Sequence, residues 1–98
     1  MLIEIIQCQK DWSLTTFGEG KRTEGICKHI EAELQEICAE PDDLIEWIDV
    51  ILLALDGAWR TGHSPVEIID ALTQKQAINF NRKFNRVAED EPSYHEKQ

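Results

Sequence analysis

The fold of this chain is decided by residues 29–60, which read HIEAELQEICAEPDDLIEWIDVILLALDGAWR. Two acid pairs lie in this stretch: Glu33 with Glu36, and Glu46 with Asp49. Each pair has i,i+3 spacing, which places its two carboxylates on one face of a helix. A solvated acidic face is the ordinary interpretation of one such pair. Here the second pair lies inside a very apolar segment, which favours a metal site over a solvated surface.

The acids are placed symmetrically about Pro41. Glu36 and Glu46 are each five residues from this proline. Glu33 and Asp49 are each eight residues from it. Because proline cannot sit inside a helix, we expect the chain to fold back here as an antiparallel helix hairpin. Packed helices run about 8–10 Å apart, so the four carboxylates would converge. Oxygen-rich clusters of this kind hold Mg²⁺ or Mn²⁺ in proteins.

The helix after the turn, Asp42–Arg60, is apolar on almost every side, since twelve of its nineteen residues are apolar. We expect Asp42 to be its N-cap or an early acidic residue. A helix apolar all round must be buried all round, and one chain of 98 residues can hardly cover it. We therefore expect a homodimer or homotetramer. Buried Glu46 and Asp49 would need a partner such as a metal ion, whereas Asp56 can pair with Arg60.

The other patterns are helical as well, which predicts an all-α fold: a compact helical protomer that assembles into a helical bundle. Residues 1–12 fit a helix or a strand, and we favour a helix because nothing else resembles a strand to pair with. Residues 13–22 predict a loop that contains Gly18 and Gly20. Thr23–Ala39 predicts a helix. Its core stripe comprises Ile26, Ile30, Leu34 and Ile37.

A last helix is predicted from Ser64, Pro65 and Glu67, which have the order of an N-cap, a first-turn proline and a capping-box acid. It runs to about Arg86. Its inward face begins with Ile68, Ile69 and Leu72. The same face continues with Lys75, Asn79, Arg82 and Arg86. Either this end of the helix is solvated, or its row of donors meets an anion held by the metal.

Two more residues are candidates for the site. Arg22 follows a Gly-x-Gly loop just before a helix, where phosphates can bind, although a plain connector is the simpler interpretation. His29 lies four residues before Glu33 on the acidic stripe. It is either a partner of the acids or a base, or else an ordinary, partly exposed histidine.

Composition limits the classes of function. Ninety-eight residues make one small domain, which we place at residues 1–86, before a flexible polar tail at residues 87–98. The net charge of −9 argues against a nucleic-acid partner. The longest apolar run, Leu44–Trp59, contains three acids and is too short to span a bilayer comfortably. No signal peptide is evident, so we expect a cytoplasmic protein without a membrane partner.

The three cysteines, Cys8, Cys27 and Cys38, form no CxxC motif. On one helix Cys27 and Cys38 would be about 16 Å apart, which is too far for a disulfide. We expect small buried thiols in a reducing compartment and no zinc site.

An ExxE pair followed across a turn by an ExxD pair resembles the metal-binding signature of the MazG-like all-α nucleoside triphosphate pyrophosphohydrolases. The match extends to the small dATP/dGTP-type branch that is common in phages, over about residues 12–84. The matching segments are Trp12-Ser13, residues 16–22, His29-Ile30, residues 43–50, residues 56–60, Lys75-Gln76, Asn79 and Arg82.

This resemblance implies an enzyme that uses Mg²⁺, or alternatively Mn²⁺, to hydrolyse dATP or dGTP to the monophosphate and pyrophosphate. The metal ligands would be Glu33, Glu36, Glu46 and Asp49. Glu33 or Glu36 would also accept the proton of the attacking water. The substrate-binding candidates are Lys75, Asn79, Arg82, His29, Arg22 and Trp12. Two alternatives stay open: the same chemistry on dUTP or dCTP, and a catalytically silent helical oligomer that acts as an interaction protein.

Overall fold

The computed structural model describes residues 1–81, and all regular secondary structure within them is helical. The four helices are α1 (Leu2–Phe17), α2 (Thr23–Ala39), α3 (Leu44–Trp59) and α4 (Pro65–Asn81). For this part of the chain the all-α prediction is confirmed. The predicted continuation of the last helix to Arg86 and the polar tail at residues 87–98 lie outside the described residues.

The N-terminal segment is a helix and not a strand, and it is longer than predicted. Helix α1 runs to Phe17, so the loop prediction for residues 13–22 is wrong at its first five positions. Ser13 is almost fully buried and its hydroxyl donates to Asp56 Oδ1 at 2.9 Å, a contact that holds this last turn of α1 in place. Gly18 caps the C-terminus of the helix: its φ of 87° favours glycine, and its N–H donates to the carbonyl of Leu14.

Helix α2 has the predicted bounds and most of the predicted core stripe. Ile26 and Ile37 are buried and Ile30 is half-buried. Leu34, predicted to belong to the core, is 49% exposed in the single chain. The opposite flank is exposed, and there Lys28 Nζ lies 3.2 Å from Glu24 Oε1.

The turn between α2 and α3 lies at Pro41, as predicted, and α3 begins two residues later than the predicted helix. Its N-cap is Asp43 and not Asp42, because the Asp43 carboxylate accepts the N–H of Ile45 at 3.0 Å. The indole N–H of Trp47 donates to the Pro41 carbonyl at 2.9 Å and ties the turn to the first turn of α3. Both α1 and α2 pack against α3, so α3 is the central helix of this part of the chain.

The chain divides into two compact units, residues 1–68 and residues 69–98, of which the second is described as far as residue 81. The predicted capping box is confirmed: the N–H of Ser64 donates to Glu67 Oε1 at 3.0 Å, and the N–H of Glu67 donates to Ser64 Oγ at 3.2 Å. Ile68 and Ile69 are half-buried, but Leu72 is 61% exposed, contrary to the predicted inward face. That residues 1–86 form a single domain stays a prediction.

The cysteines contradict the prediction of buried thiols, since all three are free and exposed. Cys27 and Cys38 directly follow Ile26 and Ile37, which take the inward positions of α2. The next residue is about 100° further round a helix, so these thiols point away from the core. In the part of the chain that is described, no helix combines the length and the apolar character needed to cross a bilayer.

Candidate active site

An acid cluster forms where α2 packs against α3. Glu33 of α2 and Glu46 and Asp49 of α3 each bring one carboxylate oxygen within 4.8 Å of the other two. Glu33 is buried, and the two acids of α3 are half-buried. The spacing of the acids about the turn therefore brings these three predicted ligands together, while their role as ligands stays a prediction.

Glu36 lies on the exposed side of this cluster and contacts two of its members. The pKa of Glu46 is raised to about 7, and the largest cause is a side-chain hydrogen bond with Glu36, which favours the protonated form. Burial and the negative charges of Glu36, Glu33 and Asp43 raise this pKa further. Glu36 is thus close enough to raise the pKa values of both Glu33 and Glu46.

Burial is the main cause that raises the pKa of Glu33 above its ordinary value. The neighbouring carboxylates of Glu36 and Asp49 add to this effect, and His29 opposes it. His29 Nε2 lies 3.2 Å from Glu33 Oε1, with an exposed imidazole. The predicted position of His29 on the acidic stripe is therefore confirmed, and the imidazole can offset part of the cluster's negative charge when it is protonated.

Two oxygens of the cluster lack partners. Among the described residues, Glu33 Oε2 and Glu46 Oε2 are buried and accept no hydrogen bond. An ionised carboxylate can accept hydrogen bonds but cannot donate them. Contact with the Glu36 carboxylate therefore satisfies these oxygens only after one of the two groups binds a proton. Buried, unpartnered carboxylate oxygens are costly, and a cation would satisfy them. The donors are all carboxylates, which fits a hard cation such as Mg²⁺ or Mn²⁺.

A cavity of about 470 Å³ opens beside the acid cluster. Glu33 and Asp49 form part of its wall, and three residues predicted to bind substrate, Trp12, Arg22 and His29, form another part. The remaining lining residues are Gln9, Ser13, Phe17, Gly25, Ile26, Leu52, Leu53 and Asp56. The structure thus places a pocket large enough for a small ligand against carboxylates that can hold a metal.

Part of the lining of this cavity is aromatic and cationic. The rings of Trp12 and Phe17 meet edge to face, with centroids 5.6 Å apart. The guanidinium carbon of Arg22 lies 4.6 Å from the centroid of the Phe17 ring, a cation–π geometry. About half of each aromatic side chain is exposed. This part of the lining therefore offers partly exposed aromatic rings, on one of which a planar ligand ring can stack.

Ser13 and Asp56, which line the cavity, belong to a buried polar network that the sequence did not predict in full. The ion pair of Asp56 with Arg60 was predicted, and Arg60 Nε donates to Asp56 Oδ1 at 2.8 Å. Ser13 was not expected to take part. Its hydroxyl donates to Asp56 Oδ1 at 2.9 Å and accepts from Arg60 Nη2 at 3.0 Å. The sequence shows the i,i+4 spacing of Asp56 and Arg60, but it gives no sign that Ser13 contacts both of them.

The predicted cationic row of the last helix belongs to the second unit. Lys75 and Asn79 lie on α4 and are exposed. Arg82 lies outside the described residues. The predicted contacts of these three side chains with a triphosphate or nucleoside stay predictions.

The protein-family model described as dATP/dGTP pyrophosphohydrolase matches residues 5–98 of the chain. The chain belongs to this family. It is therefore a hydrolase that acts on nucleoside triphosphates, and the resemblance to the dATP/dGTP pyrophosphohydrolases inferred from the acid pairs is confirmed. No curated protein and no solved structure matched the chain.

Proposed function

We propose that the protein hydrolyses dATP and dGTP to the monophosphate and pyrophosphate, with Mg²⁺ held by the acid cluster. The observation that carries this proposal is the pair of buried, unpartnered oxygens on Glu33 and Glu46, in a cluster whose Glu33 and Asp49 line the 470 Å³ cavity. Family membership supports the reaction class, and the all-carboxylate donor set supports the choice of metal. Mn²⁺ is the alternative ion.

In this proposal Glu33, Glu46 and Asp49 hold the metal, since their oxygens already lie together. The metal, when bound, neutralises phosphate charge and makes the attacking water more acidic. Glu36 lies beside the cluster on its exposed side and accepts the proton of that water. Glu33 is the other candidate for this proton, but its burial suits a ligand better than a base that exchanges protons with solvent.

The nucleoside occupies the part of the cavity lined by the aromatic residues. A purine has a large flat face, and Trp12 and Phe17 offer the stacking surface for it. Arg22, beside the Phe17 ring, is a donor for the ribose or a phosphate. Lys75, Asn79 and Arg82 are proposed to contact the triphosphate or nucleoside, and Lys75 and Arg82 to offset charge on the leaving pyrophosphate.

The chemistry is tested by the fate of the water oxygen. With Mg²⁺ and ¹⁸O-labelled water, dATP and dGTP should each give a labelled monophosphate and unlabelled pyrophosphate in one step, because water attacks the α-phosphorus. Mass spectrometry of both products makes this measurement, and dCTP and dUTP serve as the comparison substrates. Release of labelled orthophosphate with a diphosphate would overturn the proposed bond cleavage. Turnover of dCTP or dUTP in preference to the purines would keep the chemistry and change the base.

We also propose that α2 and α3 form an antiparallel hairpin and that the protein assembles as a homodimer or homotetramer, in the cytoplasm. Support for assembly comes from large apolar side chains of α3 that are exposed in the single chain. They are Leu44, Ile45, Trp47, Ile48 and Ile51. A contiguous apolar surface of this kind is typical of an interface between subunits.

Light scattering should therefore give a mass at least twice the 11.3 kDa of one chain at micromolar concentration. Ile51→Glu, at a position 53% exposed on α3, should dissociate the assembly because a charge is costly in an apolar interface. The matched control is Ile78→Glu on α4, where the isoleucine is 46% exposed. A stable wild-type monomer would contradict the assembly.

A further inference from the structure

We infer that Arg60 is a positioning residue for the nucleoside end of the cavity, an inference that rests on the proposed function. It holds the chain segment that carries Phe17 and Arg22 in the conformation that the nucleoside requires. Arg60 is not itself part of the cavity lining. Its effect passes through the backbone of residues 18–22, which connects α1 to α2.

The guanidinium of Arg60 uses all of its donors. It has five N–H groups, and the structure gives it five hydrogen bonds. Nε donates to Asp56 Oδ1 at 2.8 Å. Nη1 donates to the carbonyls of Gly18 at 2.7 Å and Gly20 at 2.9 Å. Nη2 donates to the carbonyl of Ser13 at 3.3 Å and to its hydroxyl at 3.0 Å.

These bonds hold the first three residues of the loop. Gly18 directly follows Phe17, and Gly20 is two residues before Arg22. Gly18 and Gly20 have φ values of 87° and 94°, a conformation that other residues rarely adopt. In it, both carbonyls accept from the same guanidinium nitrogen. The loop conformation and the 4.6 Å approach of Arg22 to the Phe17 ring therefore depend together on Arg60.

The side chain of Arg60 is only 1% exposed, and water cannot replace it readily. Without it, the Asp56 carboxylate and three backbone carbonyls would lose a charge-assisted donor. The loop would have to open to let water satisfy these groups. Lysine keeps the charge but has three donors on a single nitrogen, so it cannot bond three separate chain segments in the same geometry.

None of the five acceptors of Arg60 belongs to the acid cluster. Loss of its contacts should therefore weaken nucleotide binding and leave the response to Mg²⁺ intact. This separates a positioning role from a general structural role, which would lower turnover, metal response and substrate affinity together.

The test compares Arg60→Lys, Ser13→Ala and Gly20→Ala with the wild type. Each should raise KM for dATP and dGTP about tenfold, the equivalent of one lost hydrogen bond to a charged group. The turnover number and the rise in melting temperature on adding Mg²⁺ should stay within about twofold of wild type. Hydrogen exchange should become faster at residues 18–22 and stay unchanged in α2 and α3. Ser13→Ala and Gly20→Ala keep Arg60 itself. They therefore test the positioning role if Arg60→Lys fails to fold.

Two controls match these changes. Lys28→Ala removes the exposed i,i+4 pair with Glu24 and should leave KM unchanged. Gly62→Ala imposes the same backbone strain as Gly20→Ala, since Gly62 has a φ of 96° and open space around it, yet its carbonyl is not an acceptor of Arg60. If the wild type is active and folded Ser13→Ala and Gly20→Ala have an unchanged KM, the inference about Arg60 is overturned, while the proposed function is not. A wild type that turns over neither dATP nor dGTP would overturn the proposed function.

Discussion

Replacing Glu46 by glutamine and Asp49 by asparagine together should abolish the stabilisation that Mg²⁺ gives to the folded protein. In the wild type, Mg²⁺ at one hundred times its Kd should add about 2.7 kcal/mol to the free energy of unfolding, because the unfolded chain lacks the cluster. The double variant keeps the size and shape of both side chains but removes two of the three carboxylates that lie within 4.8 Å of one another. Thermal melts with and without Mg²⁺ measure the difference.

The double variant should lose turnover as well as metal affinity. Removal of a group that merely supports a metal ligand typically costs 10–100-fold, so loss of two ligands should reduce kcat/KM for dATP by more than about a hundredfold. The metal-free double variant should also melt at a higher temperature than the metal-free wild type, since the repulsion among buried carboxylates is relieved.

The matched control is Glu31→Gln with Asp42→Asn, which removes the same charges from exposed positions. It should melt and respond to Mg²⁺ like the wild type. Glu36→Gln separates the proposed base from the ligands: it should lose turnover and keep most of the Mg²⁺ stabilisation. An unchanged Mg²⁺ shift in the Glu46→Gln/Asp49→Asn variant would remove these two residues from the metal site.

The acid cluster could be predicted because it depends on two strong local rules. Helical periodicity decides which acids share a face, and Pro41 decides where the chain turns. Together they bring Glu33, Glu46 and Asp49 close without any knowledge of the rest of the fold. Local chemistry also predicted the bounds of α2 and the capping box at Ser64.

The end of α1 could not be predicted because it depends on contacts far apart in the sequence. Threonine, serine and two glycines over residues 13–20 are typical of a loop. The helix nonetheless continues to Phe17, where the hydroxyl of Ser13 bonds Asp56, 43 residues away. The acceptors of Arg60 at Gly18 and Gly20 are 42 and 40 residues from it. No periodicity indicates such pairings.

Exposure was the other property that sequence patterns did not predict. Leu34 and the three cysteines look like core residues by type, but the single chain leaves them exposed. Apolar character indicates that a side chain can be buried. It does not say whether the same chain or a second subunit covers it.

The affinity for Mg²⁺ should depend steeply on pH, since protons and the metal compete for the same carboxylates. Contact with Glu36 and burial raise the pKa of Glu46 from 4.5 to about 7, and burial raises the pKa of Glu33. Where a metal displaces one proton, its apparent affinity rises about tenfold per pH unit. Between about pH 5 and pH 7 the Kd for Mg²⁺ should therefore fall about a hundredfold and then level off.

The metal-free protein should show the opposite trend in stability. An acid whose pKa is higher in the folded state keeps its proton on folding, while the unfolded chain loses it. The contribution of Glu46 is therefore fully present below pH 4.5 and is lost as the pH rises to about 7. Glu4 and Glu67, whose pKa values are lowered, act in the other direction, and their contribution is lost below about pH 4.5.

Calorimetric titration of Mg²⁺ in buffers of different ionisation enthalpy measures both the Kd and the protons released. Near pH 6 the wild type should release about one proton per cluster, and Glu46→Gln should release less and show a flatter pH profile. His29 faces Glu33 at 3.2 Å, so His29→Gln is the second variant to compare. A profile flattened by His29→Gln but not by Glu46→Gln would assign the proton to the imidazole and contradict the assignment to the carboxylates.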